Sequence, residues 1–186
     1  MRGRVQAAIM LLSSMLLMAA GVEGAEIIVL EAQARRVEER MLLDARVEYH
    51  LSQDAEEALQ SGVPLTFDLH VKVRRKGGWL WERALWEGHF RYQIRYRALS
   101  EIYQVVGMDT GWLGNYATRD VALYALGNIR NVPLMKASQA VAGEEYEVLL
   151  HITLDREQLP LPLRLLAYLK PTWYLSSEWS RWPLQQ

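Results

Sequence analysis

The chain of 186 residues contains no cysteine. It can form no disulfide, it has no N-terminal cysteine to carry lipid, and thiol nucleophiles and thiolate metal ligands are excluded. Charge of one sign is also missing: 21 Lys+Arg stand against 22 Asp+Glu. A near-neutral chain exerts no long-range attraction on nucleic acid or on an anionic membrane. No apolar run reaches the ~20 residues of a membrane-spanning helix. The longest, about 14 residues from Ala7 to Ala20, is interrupted by Ser13 and Ser14. No G-x-S-x-G, H-E-x-x-H or S-x-x-K motif occurs, and Gly77-Gly78 lacks the remainder of a phosphate loop. The serines of 176–180 are far in sequence from any histidine. The expectation is a protein that is not an enzyme, with no catalytic residues and no cofactor.

What is present begins with residues 1–24. Arg2 and Arg4 supply a basic start, Ala7 to Ala20 an apolar middle, and Val22 and Gly24 the spacing of a signal-peptidase site. This order predicts an N-terminal signal helix whose removal leaves a single β-rich domain over 25–186. The alternative is an uncleaved leader that anchors the chain to the inner membrane. Without the leader the charged residues number 19 and 21, a formal charge of −2. Seven Trp and nine Tyr, within a hydrophobic fraction of 51%, leave ample material for a core.

Period-two alternation dominates the rest of the chain, as expected of strands with one buried face. In 43–51, Leu43, Ala45, Val47, Tyr49 and Leu51 share one side. In 65–74, Leu65, Phe67, Leu69, Val71 and Val73 alternate with Thr66, Asp68, His70, Lys72 and Arg74. The same pattern runs through 84–98 and 145–155. Lys76-Gly77-Gly78 makes 65–75 and 79–98 a long hairpin. Shorter strands are expected at 26–31, 101–107 and 173–179. Two short helices are expected: 53–60, capped by Ser52, and 119–126, capped by Thr118 and stopped at Gly127. The span 128–142, containing Pro133, reads as an irregular loop. Leu159-Pro160-Leu161-Pro162-Leu163 reads as a stiff, extended segment. The fold class is therefore mainly β, an antiparallel β-sandwich or curved sheet with two short α-helices.

Particular residues in this frame carry a family likeness. The run Leu154-Asp155-Arg156-Glu157-Gln158-Leu159-Pro160-Leu161-Pro162-Leu163-Arg164, then Ala167-Tyr168, then Trp173-Tyr174-Leu175-Ser176-Ser177-Glu178-Trp179 resembles the C-terminal signature of the proteobacterial family DUF4390. Gly62-Val63-Pro64-Leu65, Tyr96-Arg97-Ala98-Leu99-Ser100 with Tyr103, and Ala122-Leu123 through Leu126-Gly127 fit the same pattern. The resemblance implies a secreted protein in the periplasm of a Gram-negative bacterium. It also implies, through the neighbourhood of the family's genes, an inner-membrane partner such as a sensor kinase. It supplies no catalytic residues.

Three of the four histidines follow a carboxylate by two positions: Glu48-x-His50, Asp68-x-His70 and Glu87-x-His89. On a strand each pair shares a side, so aligned strands could bind a divalent ion. The interleaved Arg and Lys oppose a cation, and the pairs are read as solvated cross-strand neighbours with no metal ligand assigned. Arg91 to Arg97 interleaves arginine with Tyr92 and Tyr96, but alternation sends charge and rings to opposite faces. That removes a nucleic-acid platform. The candidate interaction surface is the proline and aromatic tail: Pro160, Pro162, Arg164, Trp173, Tyr174, Trp179 and Trp182. The expected function is a binding or accessory module for a membrane protein or envelope component, acting through 159–182 and the 128–142 loop, with peripheral membrane contact included. A carrier of a lipid or other apolar ligand, using the aromatic face of 86–96, is the alternative. A hydrolase or metal-dependent enzyme comes third.

Overall fold

The computed structural model describes residues 25–77, 83–141 and 143–184. The predicted signal segment 1–24, and residues 78–82, which span the end of the predicted turn and the start of the predicted strand 79–98, lie outside the described residues. The alternating segments are strands: β1 (Glu26–Val37), β2 (Arg40–His50), β3 (Leu65–Arg75), β4 (Trp86–Arg97), β5 (Ile102–Gly107), β6 (Leu113–Tyr116), β7 (Asn128–Lys136), β8 (Tyr146–Leu154) and β9 (Ser180–Pro183). They form two antiparallel sheets, β1-β2-β7 and β6-β5-β4-β3-β8-β9. The larger sheet is open, with β6 and β9 at its edges.

The odd-numbered apolar residues of β3 are the centre of the core, since Leu65, Phe67, Leu69, Val71 and Val73 are all buried. Val148, Leu150 and Ile152 of β8 continue the same face. Met41, Leu43, Ala45, Val47 and Tyr49 bring the buried face of β2 to the same core. Tyr49 meets Phe67 edge-on at 4.8 Å between ring centroids, so the two sheets share one apolar interior. Burial of that interior from water is the main force holding the sandwich together. A parallel bridge from Ala34 to Leu184 ties β1 to the end of the chain.

Helix α1 (Gln53–Gln60) begins where Ser52 Oγ accepts the Ala55 N–H at 3.2 Å. Helix α2 (Arg119–Gly127) is capped in the same way by Thr118. A third helix, α3 (Leu161–Leu169), replaces the extended segment expected from the alternating prolines. Pro160 precedes its first turn and Pro162 lies within it. The first turn has no intrahelical partner for its N–H groups, so proline there removes nothing and presets φ.

Two further expectations are corrected. Residues 128–136 are not a loop but β7, paired to β2 alone. Its position at a sheet edge tolerates Pro133, which has no N–H to donate. Asn131, at φ 54°, allows the local register shift. The tail strand is displaced as well. A 3-10 turn at Pro171–Trp173 buries Trp173, a single bridge joins Ser176 to Thr153, and regular pairing begins only at Ser180.

Candidate functional site

The outer face of the larger sheet carries the polar half of each alternating strand. In an antiparallel pair, directly opposed residues point to the same side. His70 on β3 lies opposite His89 on β4 and opposite His151 on β8, so three imidazoles form one row across three strands. The next row sets Lys72 opposite Glu87 on one side and Leu149 on the other, with Arg181 of β9 beyond.

This register exchanges the partners that the sequence suggests. His70 Nε2 meets Glu87 Oε1 at 2.5 Å, and His89 Nδ1 meets Asp68 Oδ2 at 2.7 Å. The two His/carboxylate pairs therefore run diagonally across strands rather than along them. Only Glu48 and His50, on the smaller sheet, pair along their own strand, at 3.5 Å. The rings of His70 and His89 stack with centroids 4.1 Å apart. Burial lowers the pKa of His70, outweighing the Glu87 hydrogen bond that acts to raise it. The His70 hydrogen bond in turn holds the Glu87 carboxyl below its ordinary range. A neutral imidazole donating its Nε2 proton to a carboxylate accounts for both directions.

The tail covers the row. Trp179 protrudes between the Ser177 contact to Ile152 and the start of β9. Its ring stacks on His151 at 4.9 Å and meets His70 edge-on at 5.1 Å. Lys72 Nζ stands 5.3 Å from the same ring. Beside Trp179 an open groove of about 630 Å³ is lined by Lys72, Arg74, Arg83 and Arg181, with Glu87, Ala84 and Leu149. Its cations are partly compensated, because Arg74 pairs with Glu147 at 2.5 Å and Lys72 with Glu87 at 3.3 Å. The arrangement offers imidazole and carboxylate to a cation at one end and guanidinium groups to an anion at the other.

The seven tail residues named from sequence do not form one surface. Trp173 lies in the core at 1% exposure. Trp182 stands opposite Val148 and is half-buried against the core, its Nε1 enclosed with no hydrogen-bond partner. Trp179, at 41% exposure, belongs to the histidine row. Pro160 and Pro162 are exposed at the start of α3, and Arg164 donates to the Leu159 carbonyl at 3.1 Å. Tyr174 is exposed, and the Arg156 guanidinium stands 4.0 Å from its ring and 4.8 Å from that of Tyr168.

Sequence reasoning missed an apolar surface on α3. Helix α3 exposes Leu161, Leu165, Leu166, Tyr168 and Leu169 and buries only Ala167. The signal for it was available: Leu161, Leu165 and Leu169 recur at the four-residue spacing of one helix face. The end of the helix is fastened, since Lys170 and Thr172 both donate to Asp54 at the start of α1.

No curated protein and no solved structure matches the chain. The family model described as a domain of unknown function (DUF4390) matches residues 24–183. That stretch takes in both sheets, the histidine row and α3, so the chain belongs to the DUF4390 family.

Proposed function

We propose that the protein is a non-enzymatic binding module of the bacterial envelope that docks onto a membrane protein through α3 and Tyr174. The observation that carries this reading is the exposure of α3, where Leu165 is 66% and Leu169 is 80% exposed on a helix of nine residues. An exposed contiguous apolar patch on a folded domain marks a contact surface. The helix is also pre-organised. Proline sets its start, Asp54 holds its end, and Arg156 underpins both exposed tyrosines. Docking then orders few side chains, which lowers its entropic cost. No helix among the described residues is long and apolar enough to cross a membrane. The predicted leader supports export, and the family resemblance raises an inner-membrane sensor kinase as a candidate partner.

The lipid-carrier reading has less support. Trp86 folds back over Gly88 and stacks toward Phe90 at 6.3 Å, and Tyr92 is buried, so the aromatic face of β4 packs on its own side chains and the core. The experiment that tests the docking reading is photo-crosslinking in cells from Leu165 and Leu169, combined with a Leu165→Glu/Leu169→Glu variant. The expected result is one membrane protein crosslinked in stoichiometric yield and lost in the variant. The urea melt of the variant should move by less than ~0.5 kcal/mol, because both side chains are exposed. Crosslinks to lipid alone, or a variant that retains the protein partner, would refute it.

A further inference from the structure

We infer that His70, Glu87 and His89 form a binding site for a divalent transition-metal ion of the Zn²⁺ class on the outer face of the larger sheet. One ligand atom from each lies within 4.8 Å of the others. Four-coordinate zinc, with Zn–N bonds of ~2.0–2.1 Å, sets its ligand atoms roughly 3.4 Å apart. Small rotations close that difference, and Glu87 and His89 are exposed side chains free to make them. A mixed imidazole and carboxylate set selects a transition metal over calcium or magnesium, which favour all-oxygen sites. Three protein ligands leave the fourth position to water.

The surroundings hold the ligands in place. Asp68 accepts the Nδ1 hydrogen of His89, which fixes the tautomer and leaves Nε2 as the ligating nitrogen. His70 is clamped between the stacked ring of His89 and the edge contact with Trp179. The bound ion takes the place of the His70 Nε2 proton that Glu87 Oε1 accepts, and that proton moves through solvent to Nδ1, so the imidazole stays neutral. The opposing charge is Lys72, whose ammonium lies 3.3 Å from Glu87 Oε1. It has a second resting place over the Trp179 ring, so Glu87 can turn to an ion without leaving Lys72 uncompensated. His151 is not a ligand; it lies on the far side of His70 from His89, under Trp179. The cluster exists because the β3–β4 register brings two separate carboxylate-x-His pairs into one diagonal set.

The test is calorimetric titration of ZnCl₂ into the full chain in a low-salt, non-coordinating buffer. Saturable uptake of about one ion per chain is expected. His89→Gln and Glu87→Gln should each weaken it at least ~10-fold, and Asp68→Asn, which removes the orienting carboxylate, by ~10-fold. His50→Gln, on the other sheet, should leave it unchanged. Zn²⁺ should also raise the urea midpoint of the parent chain but not that of His89→Gln. Because Glu87 and His89 are exposed, these variants should keep the metal-free midpoint of the parent. Absence of saturable uptake, uptake that survives His89→Gln, or uptake abolished by His50→Gln would each overturn the assignment.

Discussion

Replacing Gly127 by alanine should be among the most damaging single-methyl changes in this protein. Gly127 ends α2 where the helix lies on β2, and a Cβ built there would stand 1.9 Å from the Val47 carbonyl oxygen. Reaching even 3.0 Å demands a shift of about 1.1 Å, and the obstacle is backbone in a paired strand rather than a flexible side chain. Lifting α2 by that amount withdraws Leu126 and Ala122, both buried, from the core. Overpacking usually costs ~1–3 kcal/mol, and a backbone clash at a helix–sheet contact belongs at or above the upper end. A loss of ~3 kcal/mol corresponds to a fall in Tm of roughly 6–12 °C for a domain of this size. Urea unfolding followed by tryptophan fluorescence measures it. Gly114→Ala is the control, since its Cβ would meet the end of the Tyr116 side chain at 2.5 Å, on an edge strand where the ring can swing away. A Gly127→Ala loss below about 1 kcal/mol, or one no larger than that of Gly114→Ala, would refute the close approach of α2 to β2.

Other consequences follow from the tail. Trp173→Ala should cost ~3–5 kcal/mol, because Trp173 is 1% exposed, while Tyr174→Ala should change the urea midpoint little. Equal effects of the two substitutions would contradict the inward turn at Pro171–Trp173. Asp54 links α1 to this turn, and the hydrogen bond from Thr172, then that from Lys170, hold its carboxyl below the ordinary carboxylate range. A depressed folded-state pKa stabilises the fold above the unfolded value of ~3.9 and loses that contribution as pH falls through the folded value. Protection of the α3 amides, taken relative to their intrinsic exchange rates, should therefore fall on acidification below about pH 4. Asp54→Asn should show the lower protection already at neutral pH, and an acid response identical in the variant and the parent chain would remove Asp54 from this role.

The strands were legible because alternation is a local pattern with one physical cause, burial of one side of a pleated ribbon. Leu65 to Arg75 reads as a strand from side-chain type alone, and both capped helices were found from Ser52 and Thr118. Proline was the main source of error. Pro133 read as a loop and Pro160-x-Pro162 as an extended rod, because a proline's consequence depends on whether its missing N–H would have had a partner. That is decided by the sheet edge at β7 and by the first turn of α3. Gly127 reads in the sequence as a helix stop, and the structure adds a different reason for glycine there, the approach of the Val47 carbonyl.

The sequence by itself determined the antiparallel β class, the inward faces of β2, β3, β4 and β8 and the absence of thiol chemistry, since each follows from residue type and short-range order. It also placed carboxylate and histidine together on the polar side of β3 and β4. Only the tertiary structure decided that His70 reaches Glu87 and His89 reaches Asp68, because strand register is set by packing across the sheet. It alone separated the tail tryptophans, sending Trp173 into the core and Trp179 over the histidine row, since burial depends on what the rest of the chain leaves uncovered.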